Sequence, residues 1–137
     1  MISDFTVDVL ARTIFGEARG EPFDGQVAVA WSIKNRADKP GPDWWGDSIT
    51  EVCLRAKQYS AWNPSDPNRK RLEVASVGNP EFLRARGIAC LVLSGDLPDP
   101  TGGATHYYAD YIPAPKWAEG LTPAVVIGRH RFFRGIA

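Results

Sequence analysis

The apolar residues of this chain change period once, and that change constrains the fold more than any other feature. Up to about Ser94 they recur at helical spacing: Val7, Leu10, Ile14 and Ala18 form one stripe behind a Ser3 cap, and Val27, Ala28, Val29, Ala30, Trp31 and Ile33 are apolar nearly all round. The stretch 96–104 holds two Pro and two Gly and cannot be regular. After it, residues 105–109, 125–127 and 131–133 are β-favouring. The expectation is an α+β domain, four or five helices followed by a small antiparallel sheet.

Local signals set the helix boundaries. The first helix is expected over 4–18. Pro22 opens a second through about Asn35, and Ser48 with Glu51 forms a capping box for a short third helix that turns Val52, Cys53 and Ala56 inward. Asp66-Pro67 predicts a helix over 67–77. Asn79-Pro80 predicts another to Ser94, stopped by Gly95. Gly87, inside that helix, reads as the mark of a close helix contact.

A chain of 137 residues is one domain by length, 1–137, and can bury a core without metal or disulfide support. Its sixteen basic and sixteen acidic residues cancel, so bulk charge selects neither nucleic acid nor an anionic membrane. No apolar run approaches the ~20 residues of a membrane span, so no membrane insertion is expected. Met1 is followed by Ser3, Asp4 and an amphipathic helix, with no basic start or cleavage site. Synthesis in the cytoplasm without an export signal is the expectation. Cys53 and Cys90 both sit in apolar helical contexts and read as two buried thiols, not a bridge. Several of the five tryptophans stand in loops, Trp44, Trp45 and Trp62 among them. Such rings either stack on sugar faces or pin the loops that carry them.

The stretch most suggestive of chemistry is Ile14-Phe15-Gly16-Glu17-Ala18-Arg19-Gly20-Glu21. Helical phase puts Glu17 beside Leu10 and Ile14, at the edge of the face a globular protein buries. Gly16, Gly20 and Pro22 also place it in the last helical turn, where the negative end of the helix dipole opposes a carboxylate. Both effects favour the protonated form of a general acid, given a cleft beside it. The other reading is a Glu at a frayed helix end facing water. Gln58, Tyr59, Ser60, Thr105, His106, Tyr107 and Tyr108, on polar and aromatic segments, are the residues to complete such a cleft. With a carboxylic acid they could protonate the leaving oxygen of a glycosidic bond and shelter an oxocarbenium-like centre. A second carboxylate, if one is used, is nearest in sequence at Glu21 or Asp24, although both fit as solvated or capping residues. Two rivals stand beside this reading. His106 and His130, with Cys53, Cys90 or an Asp, could form a zinc site of amidase type, although no HExxH or paired CxxC spacing supports it. A non-catalytic binding module built on the Trp-bearing loops is the other. No GxSxG elbow and no glycine-rich phosphate loop is present.

Five segments then resemble, in order, the motifs of the SleB/CwlJ-type cell-wall hydrolases, a family that includes spore-cortex-lytic enzymes and phage endolysins. They are residues 11–21, Ala28-Val29-Ala30 with Asn35-Arg36, Gln58-Tyr59-Ser60, residues 100–108, and residues 127–133. The likeness spans nearly the whole chain. It implies a lysozyme-like α+β fold, bacterial peptidoglycan as substrate, and cleavage of the β-1,4 bond between N-acetylmuramic acid and N-acetylglucosamine. It places the catalytic acid at Glu17, Gln58 and Ser60 along the cleft, and Tyr107 and Tyr108 on its far wall. It also implies lytic transglycosylation, in which the muramoyl C6 hydroxyl attacks the anomeric carbon, with muramidase-type hydrolysis as the alternative outcome. Tyr59 departs from the family by standing where Phe is common. The lack of an export signal and of a separate wall-binding domain favours a phage-type lysis protein reaching the wall through a membrane-permeabilising partner. No metal or organic cofactor and a monomer are expected.

Overall fold

The structure, a computed structural model, describes residues 2–39, 41, 45–46, 48–55, 59, 62, 66, 69–76 and 78–136. Helix α1 (Asp4–Ala18) begins where the Ser3 hydroxyl accepts the Thr6 N–H at 3.1 Å. Its buried surface is broader than one stripe. Val9, Ala11, Thr13 and Phe15 are buried together with Val7, Leu10, Ile14 and Ala18, because α1 packs against four other helices. Helix α2 (Phe23–Asp38) follows a Pro22 cap and runs past the expected stop at Asn35. Its apolar run makes it the buried helix that the sequence pattern requires.

The shorter helices follow their capping signals. In α3 (Ile49–Leu54) the Ser48 hydroxyl accepts the Glu51 N–H at 3.2 Å, and Val52 and Cys53 are buried. Ala56, expected inward on that helix, lies outside the described residues. Helix α4 (Arg69–Val74) is shorter than the 67–77 expectation. Helix α5 (Pro80–Leu93) has Pro80 in its first turn behind an Asn79 side chain that accepts the Glu81 and Phe82 N–H groups, and it ends at Ser94 with Gly95 at φ +83°.

Strands β1 (His106–Ala109), β2 (Val125–Ile127) and β3 (His130–Phe133) form an antiparallel sheet with β3 in the centre. In its register Tyr107 lies opposite Phe132 and Tyr108 opposite Arg131. Phe132, fully buried, carries the sheet into the core formed by Leu10, Ile14, Ile33 and Ile88.

The C-terminal turn of α2 fixes the irregular stretch that leads into β1. Asn35 Nδ2 donates to Asp99 Oδ2 and to the Ala104 carbonyl, both at 2.9 Å, and Arg36 Nε donates to the Thr105 carbonyl at 2.6 Å. Asp99 also accepts from the Thr101 N–H and hydroxyl and from the Gly103 N–H. Burial works to raise the Asp99 carboxyl, but these hydrogen bonds outweigh it and hold the group below its ordinary value. One carboxylate thus orders a loop that has no periodicity of its own.

Two expectations need correction. Cys53 is buried, but Cys90 lies on the exposed face of α5, and both thiols are free. Gly87 marks no close contact: it is exposed, and a Cβ built there meets nothing within 4 Å. Among the described residues no helix is long and apolar enough to cross a membrane. Because Gly87 sits inside α5 with open space around it, Gly87→Ala is expected to stabilise the fold by about 0.8–1 kcal/mol, the helix-propensity difference. Urea unfolding checks this, and a lower midpoint in the variant would restore the packing explanation.

Candidate active site

Glu17 lies one residue before the end of α1, half-buried, on the wall of a groove of about 480 Å³. The groove lies where the helices meet the sheet. From the helical side it is lined by Gly16, Glu17 and Arg36, and from the sheet by Tyr107, Tyr108 and His130. The Tyr107 hydroxyl donates to Glu17 Oε1 at 3.0 Å, a contact between residues 90 positions apart in the chain. The Tyr107 ring is wedged by Phe132, at 5.5 Å between centroids, and by His130, at 4.9 Å. Desolvation, and next the charge of Glu17, hold the Tyr107 phenol well above its ordinary value, so it remains a donor.

Among the described residues, Arg36 and His130 line the groove around that pair, and His106 is packed behind it. The Arg36 guanidinium stands 5.4 Å from the Trp45 ring centroid and 5.8 Å from that of Tyr59. His106 is packed between Trp45 and Trp117, with Nδ1 2.9 Å from the Thr105 hydroxyl. Desolvation and then Arg36 push it down to about 4, so it is uncharged near neutrality. His130 is also held below its ordinary value by desolvation, against the opposing pull of Glu21 and Asp110.

Of the residues expected at the site, the groove brings together Glu17, Tyr59, Tyr107 and Tyr108. Tyr59 is buried, and its hydroxyl has no hydrogen-bond partner among the described residues. Thr105 and His106 are buried behind the groove and are not among its lining residues. The Thr105 carbonyl instead receives Arg36, which ties α2 to β1. Gln58 and Ser60 lie outside the described residues.

The second-carboxylate candidates divide differently. Asp24 is exposed in the first turn of α2. Glu21 is not solvated: its Oε1 accepts the Arg129 N–H at 2.8 Å and stands 3.6 Å from His130 Nδ1. It staples the β2–β3 turn to the helices. Gly128 in that turn has φ +58°, and a Cβ there would fall 2.5 Å from Glu21 Oε1, so the close approach requires glycine. Among the described residues that line the groove, Glu17 alone carries a carboxylate.

The rival constellations are not assembled. Among the described residues no three His, Cys, Asp or Glu side chains converge as a metal site would need, so His106, His130, Cys53 and Cys90 do not form the suggested zinc set. Desolvation pushes the Cys53 thiol up to about 12, away from the thiolate a metal or a nucleophile requires. Trp45 and Trp62 act as pins, while Trp117 in the Pro-rich connection lines the groove. Trp45 is buried, and the Trp62 indole donates to the Thr13 hydroxyl at 2.8 Å. Trp44 lies outside the described residues.

Sequence reasoning missed several groove residues. Arg36 had a visible signal, a basic residue closing an otherwise apolar helix. His130 was weighed as a metal ligand and, on its β-rich segment, as a structural or substrate-contacting residue, but not named in the cleft. Tyr111, Ile112 and Pro115 line the groove from a Pro-rich connection in which no periodicity singles them out.

Comparison with known proteins supports this fold. The chain is similar to the catalytic domain of the Bacillus cereus SleB protein, with a TM-score of 0.77 and 25% identity over 98% of this chain and 93% of that one. It is similar also to the catalytic domain of the germination-specific lytic transglycosylase SleB from Bacillus anthracis, with a TM-score of 0.73 and 25% identity over 97% of each chain. The expected lysozyme-like α+β fold is therefore the observed one. A spore cortex-lytic enzyme of Bacillus subtilis is 50% identical over 95% of this chain and 38% of its own length. The chain spans from 35% to 43% of the length of the curated relatives it matches. A model of the cell wall hydrolase family matches residues 20–133. With that match over most of the chain, and a further spore cortex-lytic enzyme, from Halalkalibacterium halodurans, 31% identical over 95% of it, the protein belongs to the cell wall hydrolase family of the SleB/CwlJ type.

Proposed function

We propose that this chain cleaves the β-1,4 bond between N-acetylmuramic acid and N-acetylglucosamine in bacterial peptidoglycan by lytic transglycosylation, with Glu17 serving as acid and then as base. The observation that carries this reading is that Glu17 is the sole carboxylate among the described residues lining the groove. Hydrolysis of the usual design uses two, ~5–5.5 Å or ~6.5–9.5 Å apart, the second to attack or to activate water. Glu21, the nearest in sequence, is committed to the Arg129 backbone.

The phenol of Tyr107 decides which carboxyl oxygen acts. Since Tyr107 donates to Oε1, that oxygen is the acceptor end of the group, and the acidic proton belongs on Oε2. Glu17 passes that proton to the glycosidic oxygen as the bond to the muramoyl C1 breaks and the N-acetylglucosamine hydroxyl leaves. The muramoyl C6 oxygen then bonds to C1, and its proton returns to Glu17. The products are a 1,6-anhydro end and a new non-reducing end, with no water consumed. One residue suffices because the sugar supplies the nucleophile. No metal or organic cofactor enters the scheme.

The setting of the reaction is the bacterial wall. The names of the relatives, spore cortex-lytic enzymes, support cortex peptidoglycan as the material cut. A phage-type lysis enzyme, released to the wall after synthesis in the cytoplasm, would use the same chemistry on vegetative sacculi. Digestion of purified cortex and of sacculi side by side separates the two settings.

Glu17→Gln keeps an acceptor for Tyr107 and removes the proton, so the variant is expected to fold normally and lose at least about a hundredfold in lytic rate. Dye release from labelled peptidoglycan measures it, and a rate near wild type would remove Glu17 from the mechanism. Tyr107→Phe keeps the ring and deletes the donor. Its kcat is expected to drop roughly tenfold or more with KM little changed, as for a lost hydrogen bond to a carboxylate worth about 1.5–3 kcal/mol. A change in KM alone would make Tyr107 a substrate ligand and not an orienter of Glu17.

A further inference from the structure

The turn after β1 forms one lip of the groove and presents apolar surface that the fold does not use. Tyr111 is 68% exposed and Ile112 46% exposed, and both line the groove that contains Glu17. Pro115, a little further on, continues the same wall. An isolated exposed aromatic needs no explanation, but these three meet at one concave edge beside the catalytic carboxylate.

The lip is held rigid from behind. The Asp110 N–H donates to the Arg129 carbonyl at 2.8 Å, and Arg129 Nε returns a bond to Asp110 Oδ1 at 2.9 Å. The Ile112 N–H closes the turn on the Ala109 carbonyl at 3.2 Å. The Arg129 guanidinium lies 5.0 Å from the Tyr111 ring centroid, covering one side of the ring. Arg129 is in turn fixed through its own N–H to Glu21. Pro113 and Pro115 restrict the backbone that follows. The ring is thus held in place before any ligand arrives, which lowers the ordering entropy a partner must overcome.

We propose that Tyr111, with Ile112 and Pro115, is a saccharide platform of the groove, taking the apolar face of a pyranose ring in the glycan strand next to the bond that is cut. This rests on the reading of the groove as a glycan-cleaving site and assigns one of its binding surfaces. A β-1,4-linked amino sugar shows C–H groups on the faces of its ring and polar groups at the rim. The C–H face meets the negative face of the phenol ring, and the rim stays in water. On the same lip Asp110 and Arg129 are paired with each other, and the surface that Tyr111, Ile112 and Pro115 present to the groove is apolar. The platform therefore recognises the sugar backbone and not the peptide.

The test uses the Glu17→Gln protein, expected to cut at least about a hundredfold more slowly, and peptide-free glycan strands of alternating N-acetylglucosamine and N-acetylmuramic acid, with binding followed by calorimetry. Adding Tyr111→Ala is expected to weaken binding at least about fivefold, the order expected from losing one ring face, while adding Tyr111→Phe keeps affinity within about twofold. Because Tyr111 is mostly exposed, the alanine variant loses little packing, and an unchanged melting temperature verifies that its fold is intact. Equal binding by the Tyr111→Ala protein overturns the platform and leaves the cleavage reading standing. Strands that fail to bind Glu17→Gln itself overturn the glycan reading and the platform with it.

Discussion

The contact on which the groove depends is the hydrogen bond from the Tyr107 hydroxyl to the Glu17 carboxylate, because it joins the end of the first helix to the first strand of the sheet. Neither partner has a use for the other within its own element. Strand register makes the contact sensitive, since a slip of one residue in the β1–β3 pairing would turn Tyr107 to the opposite face. Two devices hold the register from either side. On one, Asn35 and Arg36 at the end of α2 take the carbonyls of Ala104 and Thr105, just before β1 begins. On the other, Glu21 takes the Arg129 N–H, while Gly128 lets the β2–β3 turn come close enough for it to do so. The two carboxylates of the same short motif thus divide the work: Glu21 fixes the sheet against the helices, and Glu17 faces what the groove holds.

The electrostatics of the groove follow from burial more than from charge count. Desolvation leaves His106 and His130 below their ordinary values, and the phenols of Tyr59 and Tyr107 are held above theirs. Near neutrality these four groups are therefore uncharged. Beside Glu17, the permanent charge among the described lining residues is Arg36. A groove of that kind suits a substrate that is neutral at the bond to be cut, where one proton moves out and one moves back.

Much of this arrangement was legible in the chain because the signals involved are local. Ser3, Ser48 and Asn79 mark helix starts through hydrogen bonds spanning two or three residues, and Pro80 through its fixed φ, and all appear where expected. The phase of α1 placed Glu17 at the edge of its buried face, where it lies, and the change of period at residue 105 placed the sheet. What escaped was long-range or aperiodic. Glu21 looked like a solvated residue because its partner, Arg129, stands 108 positions away. Gly87 invited a packing explanation, yet α5 turns it to solvent, and Cys90 lies on the same helix with its side chain exposed. The loop tryptophans looked available to sugars, but Trp45 and Trp62 are absorbed by Arg36 and Thr13. The exposed aromatic at the groove is Tyr111, in a connection whose prolines signalled only irregularity.

On the glycan-cleaving reading proposed above, a groove with one carboxylate among its described lining residues has a chemical consequence that product analysis reads directly. If Glu17 works alone and the nucleophile is the muramoyl C6 hydroxyl, the fragments released from purified glycan strands carry 1,6-anhydro-muramoyl ends, each one water lighter than a reducing end. Mass spectrometry of those fragments, before and after borohydride reduction, is the decisive measurement. Ends that are one water light and inert to reduction are the predicted result. Reducible ends of full mass would contradict the account, because a second group would then have activated water.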